Sequence, residues 1–383
     1  MKITLDTATL TSELFKLQGI VSSKSTLPIL HNALLVANAD GTLELHATDL
    51  DISVSTRVKC EVESPGKMTV RARDLYDAVK NLRAEKVTLE REDNLWVRLT
   101  SGTVQARLVG MDPAEFPQIQ EADEASFVTL RTASFMRLID RTLFSVASDE
   151  SRPNLTGALL RVDTSGNLIM VSTDGHRLSI AEMKPGFTVE DAPAALTEDD
   201  RAGGGVIVPR KGLAELRRTV DLTEEALSFG IHANSAVFRY GTTTLFVRLI
   251  DGTFPSFRQV VPEEKAERRA TIDRAEFVGR LKFVSLFSSA KTHNITLKLE
   301  DSTLTVLAQD PDKGECEESI PVNYSGPAVK AGYNFKYLLD VLGVCASSAV
   351  SIEVIDTLSP TVVRELDGED GEDALFIVMP MRL

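Results

Sequence analysis

A chain of 383 residues is longer than one hydrophobic core usually supports, and 43% hydrophobic with 26% charged residues is the balance of an ordinary globular protein. A formal net charge of −14 argues against wholesale attraction to nucleic acid or anionic lipid, unless the basic residues are gathered in one place. Three scattered cysteines, Cys60, Cys316 and Cys345, and five histidines with no H-x-x-x-H pair predict no disulfide framework and no metal site.

The opening residues lack the apolar core of a signal peptide, and no stretch has the length of a membrane span, so the expectation is a cytoplasmic protein with no membrane partner. From Ile3, ITLDTATLTSELFKLQGIVSS reads as a short strand turning into a helix with Leu10, Leu14 and Leu17 on one face. TLELHATDLDISV follows as strands about a polar turn at Asp49. MTVRARDLYDAVKNL repeats the strand-to-helix step, and VGMDPAEFPQI closes the segment before the acidic QEADEA.

The same grammar restarts at Val128 with VTLRTASFMRLIDRTLFSVAS, where Phe135, Leu138 and Ile139 form the apolar face. NLIMVSTDGHRLSI carries the corresponding Asp174, then VIVPRKGLAELRRTV and LIDGTFPSFRQV complete a second copy. An Ala-, Asp- and Gly-rich insertion, EDAPAALTEDDRAGGG, interrupts it and is expected to be a mobile surface loop. A third copy runs from ATIDRAEFVGRLKFVSLFSSA through TLTVLAQDPDKGECEESI, with Asp310, and PAVKAGYNFKYLLDVL to the terminal FIVMPMRL. Matching the ends places Met379 and Pro380 where Phe116-Pro117 and Phe254-Pro255 stand, so the apolar tail is expected to be the last strand of the third copy.

Three copies of one unit predict three tandem domains, 1–124, 125–262 and 263–383. Two helices per copy cover only one face of a sheet, so the class is α+β, with helices on one side and antiparallel sheet on the other. The helices lean basic: Arg210–Arg218 holds four basic residues against one acidic. If repeated helices share one concave surface, a duplex is repelled by the acidic exterior and accepted only inside, through phosphates alone. Neither base-reading helices nor zinc-finger spacing nor an aromatic run for stacking single strands is present. The nearest approach to a catalytic site is Ser172, Asp174 and His176, which lack a G-x-S-x-G elbow. A hydrolase using those three, and a repeat scaffold that binds proteins without DNA, are the alternatives to a DNA-encircling protein.

TLPIL, RPNLTGALL, STDGHRLS, VIVPRKGLAEL, DGTFP and the terminal VMPMRL, in that order along the whole chain, resemble the bacterial DNA polymerase III β subunit, the replication sliding clamp. The resemblance implies three tandem domains of the DNA clamp fold and a non-catalytic processivity factor without cofactors. It implies a head-to-tail homodimer closed into a ring around duplex DNA, helices inside and sheets outside. Carried over position by position, a pocket between the second and third domains would take short peptides of the replicative polymerase, the clamp loader and repair proteins. Here it would comprise Leu155, Thr173, Gly175, His176, Arg177, Leu178, Pro255, Val260, Tyr324, Leu358, Val378, Met379, Pro380, Met381, Arg382 and Leu383. The residues expected to meet DNA are Lys24, Arg73, Arg152, Arg210, Lys211 and Arg217. Pro153 and Asn154 stand where some clamps carry an aromatic pair, and Gln259 stands where some relatives have an arginine.

Overall fold

The computed structural model describes residues 1–21, 25–118, 127–197, 204–262, 268–324, 326–366 and 372–382. Seven α-helices lie among them: α1 Thr7–Leu17, α2 Ala72–Lys80, α3 Thr132–Thr142, the four-residue α4 Ala194–Thr197, α5 Arg210–Thr219, α6 Arg274–Val284 and α7 Phe335–Val344. The turn residues before them act as caps. Asp6 accepts the Thr9 amide at 2.7 Å, Asp273 the Glu276 amide at 2.8 Å, and Asn334 the Lys336 amide at 3.0 Å, each satisfying a donor that the first helical turn leaves unpaired. Leu10, Leu14 and Leu17 of α1, Phe135, Leu138 and Ile139 of α3, and Phe277 and Leu281 of α6 are all fully buried, as their spacing requires.

The chain folds into two compact units, one of Met1–Thr132 with Lys211–Leu249, the other of Ala133–Arg210 with Ile250–Leu383. In the first, a five-stranded sheet has the order Glu61–Ser64, Lys2–Asp6, Lys86–Arg91, Val97–Ser101, Val104–Leu108. An eight-stranded sheet beside it in sequence runs Phe127–Arg131, Ala226–His232, Ser235–Tyr240, Thr243–Arg248, Ile52–Lys59, Thr42–Thr48, Asn32–Ala37, Gly66–Arg71. The second unit has an eight-stranded sheet ordered Val206–Pro209, Gly157–Val162, Leu168–Thr173, Arg177–Met183, Glu372–Val378, Thr361–Glu365, Ala349–Val354, Arg268–Asp273. Its other sheet is ordered Gly314–Pro321, Thr303–Asp310, Asn294–Glu300, Val329–Asn334. All these pairings are antiparallel. The middle copy gives half its strands to each eight-stranded sheet, which is why the most compact division passes through it.

Two ladders join neighbouring copies, and they have the same register. Thr243–Arg248 pairs with Ile52–Lys59, Val247 opposite Ile52; Glu372–Val378 pairs with Arg177–Met183, Val378 opposite Arg177. Beyond each ladder the backbone bonds repeat too. The Arg248 amide donates to the Asp51 carbonyl at 2.8 Å and the Met379 amide to the His176 carbonyl at 2.9 Å; next come Ile250 to Ile207 at 2.9 Å and Met381 to Gly332 at 2.8 Å. Met379 and Pro380 therefore correspond to Arg248 and Leu249, which corrects the expected match to Phe254-Pro255. Shared prolines suggested the wrong offset; strand pairing sets the true one. The tail is nonetheless the last strand of its copy.

The insertion is also partly corrected. Its α4 packs on Gly157–Val162 and its Leu196 is fully buried, so that part is anchored rather than loose; residues 198–203 lie outside the described residues. Of the cysteines, Cys345 is buried and Cys60 and Cys316 half-buried, all free thiols.

Candidate functional site

The turn between Leu168–Thr173 and Arg177–Met183 is built by its own side chains. Thr173 Oγ1 donates to the Arg177 carbonyl at 2.6 Å and accepts the Gly175 amide at 3.1 Å, while Asp174 Oδ1 accepts the amides of His176 and Arg177 at 2.9 and 3.0 Å. Gly175 sits at φ +91°, and a Cβ there would stand 3.1 Å from Arg152 Nη1. Close approach of that backbone lets Arg152 Nη2 donate to the Asp174 carbonyl at 3.0 Å.

Arg177 ties the turn to its surroundings. Its Nε meets Asp174 Oδ2 at 3.0 Å, its Nη2 donates to the Phe144 carbonyl at 2.6 Å, and Nη1 pairs with Asp340 of α7. The guanidinium lies 4.5 Å from the Tyr337 ring centre and 5.2 Å from that of Phe144. His176 stacks on Tyr337, ring centres 6.4 Å apart. Burial raises the Tyr337 phenol above its ordinary pKa, so it stays a neutral platform.

Beneath the turn, Leu155 and Leu178 pack with Phe254, Phe257 and Ile377 in one buried cluster. Pro255 is exposed, and Val260 is exposed on the short helical turn Phe257–Val260. Leu358, 70% exposed, sits on a turn whose amides are held by Asp356, three residues before Thr361, the ladder partner of Val378. Val378 is buried, Met379, Pro380 and Met381 are half-buried, and Arg382 is exposed. Tyr324 is buried with its hydroxyl donating to the Pro327 carbonyl, so it offers a wall and no free hydrogen bond. Leu383 lies outside the described residues. This gives a buried apolar floor that runs on through Ile377 to half-buried methionines on backbone fixed by hydrogen bonds.

It is not suited to hydrolysis. Ser172 is fully buried and donates to the Thr142 carbonyl at 2.6 Å, Asp174 is engaged by Arg177 and two amides, and His176 is exposed against Tyr337. The three do not form a nucleophile, base and orienter, which corrects that alternative. Among the described residues no three His, Cys, Asp or Glu side chains gather as a metal site, and no helix is long and apolar enough to cross a membrane.

Of the expected DNA residues, Arg73 and Lys211 are each the second residue of a helix, α2 and α5, and both are exposed. Lys336 holds the same place in α7 and is exposed; reading net helix charge missed it, whereas position within the repeat finds it. A cation at a helix N-terminus opposes the macrodipole, so its recurrence in three copies asks for a reason beyond stability. Lys211 also pairs with Asp49. Arg210 is exposed, Arg217 half-buried, and Arg152 braces the Asp174 turn; Lys24 lies outside the described residues.

Similarity to known proteins agrees with this architecture. The DNA polymerase III beta subunit family matches in three pieces: its N-terminal domain over residues 1–120, its central domain over 129–256 and its C-terminal domain over 258–382. The beta sliding clamp of Caulobacter vibrioides is 31% identical over 388 residues, covering 100% of both chains. Among solved structures, a Pseudomonas aeruginosa sliding clamp bound to griselimycin superposes with a TM-score of 0.90 at 32% identity and 100% coverage of both chains. The C. crescentus beta sliding clamp, with polyethylene glycol bound to a putative beta-motif tethering region, gives 0.88 at 31% identity, again with 100% coverage of both. The chain belongs to the DNA polymerase III beta subunit family and is a DNA sliding clamp.

Proposed function

We propose that two copies of this chain close head to tail into a ring around duplex DNA and tether the replicative polymerase, the clamp loader and repair proteins through the pocket at the Asp174 turn. In this role it is a non-catalytic accessory subunit of the polymerase, with domains 1–124, 125–262 and 263–383. The family matches over 1–120, 129–256 and 258–382 support those borders.

One observation carries the ring. In both joints, the strand that follows the aspartate turn of one copy pairs with the last strand of the next copy. Applied once more, the rule leaves Gly314–Pro321 of the third copy in need of a last strand, and Val104–Leu108, the last strand of the first copy, in need of a partner. Among the described residues each is a sheet edge. A second chain supplies both, and a head-to-tail contact that closes gives a ring rather than a filament. The edges are complementary in charge: Glu315, Glu317 and Glu318 on one, Arg107 on the other.

Arg73, Lys211 and Lys336, with Lys24, Arg152, Arg210 and Arg217, supply contacts to phosphates, weak and indifferent to sequence. Topological linkage makes weakness useful, since a closed ring slides without leaving. The pocket reading rests on the apolar floor and half-open methionines described above, and on the ligand-bound relatives. The test is retention on DNA. Protein loaded by its clamp loader onto nicked circular plasmid is expected to remain through gel filtration and to be lost once the plasmid is cut linear. Equal retention on both forms would refute encirclement.

A further inference from the structure

The Asp49 turn at the first joint is a hydrogen-bond copy of the Asp174 turn. Thr48 Oγ1 donates to the Ile52 carbonyl at 3.0 Å and accepts the Leu50 amide at 3.0 Å; Asp49 Oδ1 accepts the amides of Asp51 and Ile52 at 3.0 and 2.7 Å. The ladder beside it has the same register, as shown above. Beside this turn lies a cavity of ≈ 280 Å³, lined by Leu50, Asp51, Ser53, Asn234, Phe246 and Arg248 among others. The scaffold is shared, but the chemistry is not. Ser53 stands where the other turn has Leu178, and Arg248 where it has Met379.

Two features mark the cavity as more than a relic. Leu50 keeps the left-handed backbone of Gly175, φ +80° against +91°, although leucine adopts it only under strain, and the residue is 55% exposed. Among the described residues Arg248 has only a loose partner: Asp51 is 4.0 Å away, and the two side chains are 61% and 73% exposed. An incoming carboxylate can take the guanidinium bidentately, which Asp51 at that distance does not.

We propose that this cavity is a second docking seat, taking an extended acidic peptide that sets a carboxylate on Arg248 and an apolar side chain against Leu50 and Phe246. The inference rests on reading the Asp174 pocket as a peptide seat. Its size suits one or two side chains. The replacement of Leu178 and Met379 by Ser53 and Arg248 turns an apolar preference into an acidic one, so the two seats would hold different segments of one partner or two partners at once.

The test uses the full-length protein and two fluorescein-labelled, amidated probes, Gly-Leu-Asp-Leu-Gly and Gly-Leu-Lys-Leu-Gly, read by fluorescence anisotropy. Expected is a preference of about tenfold or more for the Asp probe, reversed by Arg248→Glu, weakened by Ser53→Leu, and unaffected by saturating griselimycin. Unchanged melting temperature and griselimycin binding of the Arg248→Glu protein show that its fold is intact. Binding that Arg248→Glu leaves alone, displacement of the Asp probe by griselimycin, or no binding of it at millimolar protein would each overturn the proposal. Failure of griselimycin to bind the unaltered protein would instead count against the Asp174 pocket, with the Arg248→Glu comparison still deciding the first joint.

Discussion

Glu372 shows how much a single side chain does at the second joint. It opens the last strand within an acidic stretch, yet its side chain is only 7% exposed, because Arg137 Nε of α3 reaches Oε2 at 2.6 Å and Arg141 Nη1 stands 3.7 Å away. Arg141 pairs in turn with Glu365, 4% exposed, which also accepts the Ala346 amide. Removing one member of such a buried set leaves a charge without its partner and costs about 3–5 kcal/mol, even where replacing the whole set by apolar groups would cost little. The Arg137 hydrogen bond, foremost, holds the Glu372 carboxyl below its ordinary 4.5. The folded value is thus lower than the unfolded one, so the stabilisation is complete above the unfolded value and is lost as pH falls through the folded value. Urea unfolding is expected to show stability declining as pH drops below 4.5, and Glu372→Gln is expected to be less stable at neutral pH with a flatter decline. Parallel pH profiles for the two proteins would contradict this account.

At the scale of elements, α5 meets its strand with no side chain between them at one point. A Cβ on Gly212 would lie 2.3 Å from Val247 Cγ1, and Val247 belongs to the strand that forms the first joint. Gly212→Ala gains about 1 kcal/mol in helix propensity, but the overlap is larger than that gain, and a net loss of about 1–3 kcal/mol is expected by thermal melting. Adding Val247→Ala should recover part of it; no recovery would mean the close approach is not the cause. Amphipathic helices were readable from the sequence because their apolar spacing and, for three of them, Asp or Asn caps are local. Strand neighbours were not. Alternation gives the face a residue occupies but not the strand beside it, and Val247 facing Ile52 is a pairing between distant segments that no short pattern encodes. The mistaken match of Met379-Pro380 to Phe254-Pro255 has this origin. The helix around Lys336 was set aside because the charge of α7 was summed rather than located, and Leu196 went unseen because a segment rich in Ala, Asp and Gly hides one buried leucine. The proposed pocket was legible chiefly by resemblance: nothing in STDGHRLS announces that Arg177 bridges to Asp340 and Tyr337.

For the whole molecule, the question is whether the two open edges are the ring's seams. Beside Gly314–Pro321 the short turn Ser285–Phe287 packs against the strand and displays Leu286, 63% exposed, with Phe283, 51% exposed, from α6; the Phe283 and Phe287 rings lie 6.3 Å apart. A monomer gains nothing from such a patch next to an unpaired, glutamate-bearing edge, whereas a second chain would cover patch and edge together. Across the seam, Arg107 is braced by Glu92 and lies 4.9 Å from the Trp96 ring centre, so its strand is held in shape before a partner arrives. In the proposed seam, backbone pairing along the edge would provide geometry, Leu286 and Phe283 apolar burial worth roughly 25 cal/mol per Å², and the glutamates against Arg107 orientation that salt weakens. Apolar burial is the largest of these in physiological salt. Leu286→Asp, which places a charge in the patch at a residue that is 63% exposed, is therefore expected to halve the solution mass measured by light scattering at micromolar concentration. Its melting should stay close to that of a folded monomer, while retention on nicked circular DNA is lost. A Leu286→Asp protein that keeps the mass of a dimer would place the seam elsewhere.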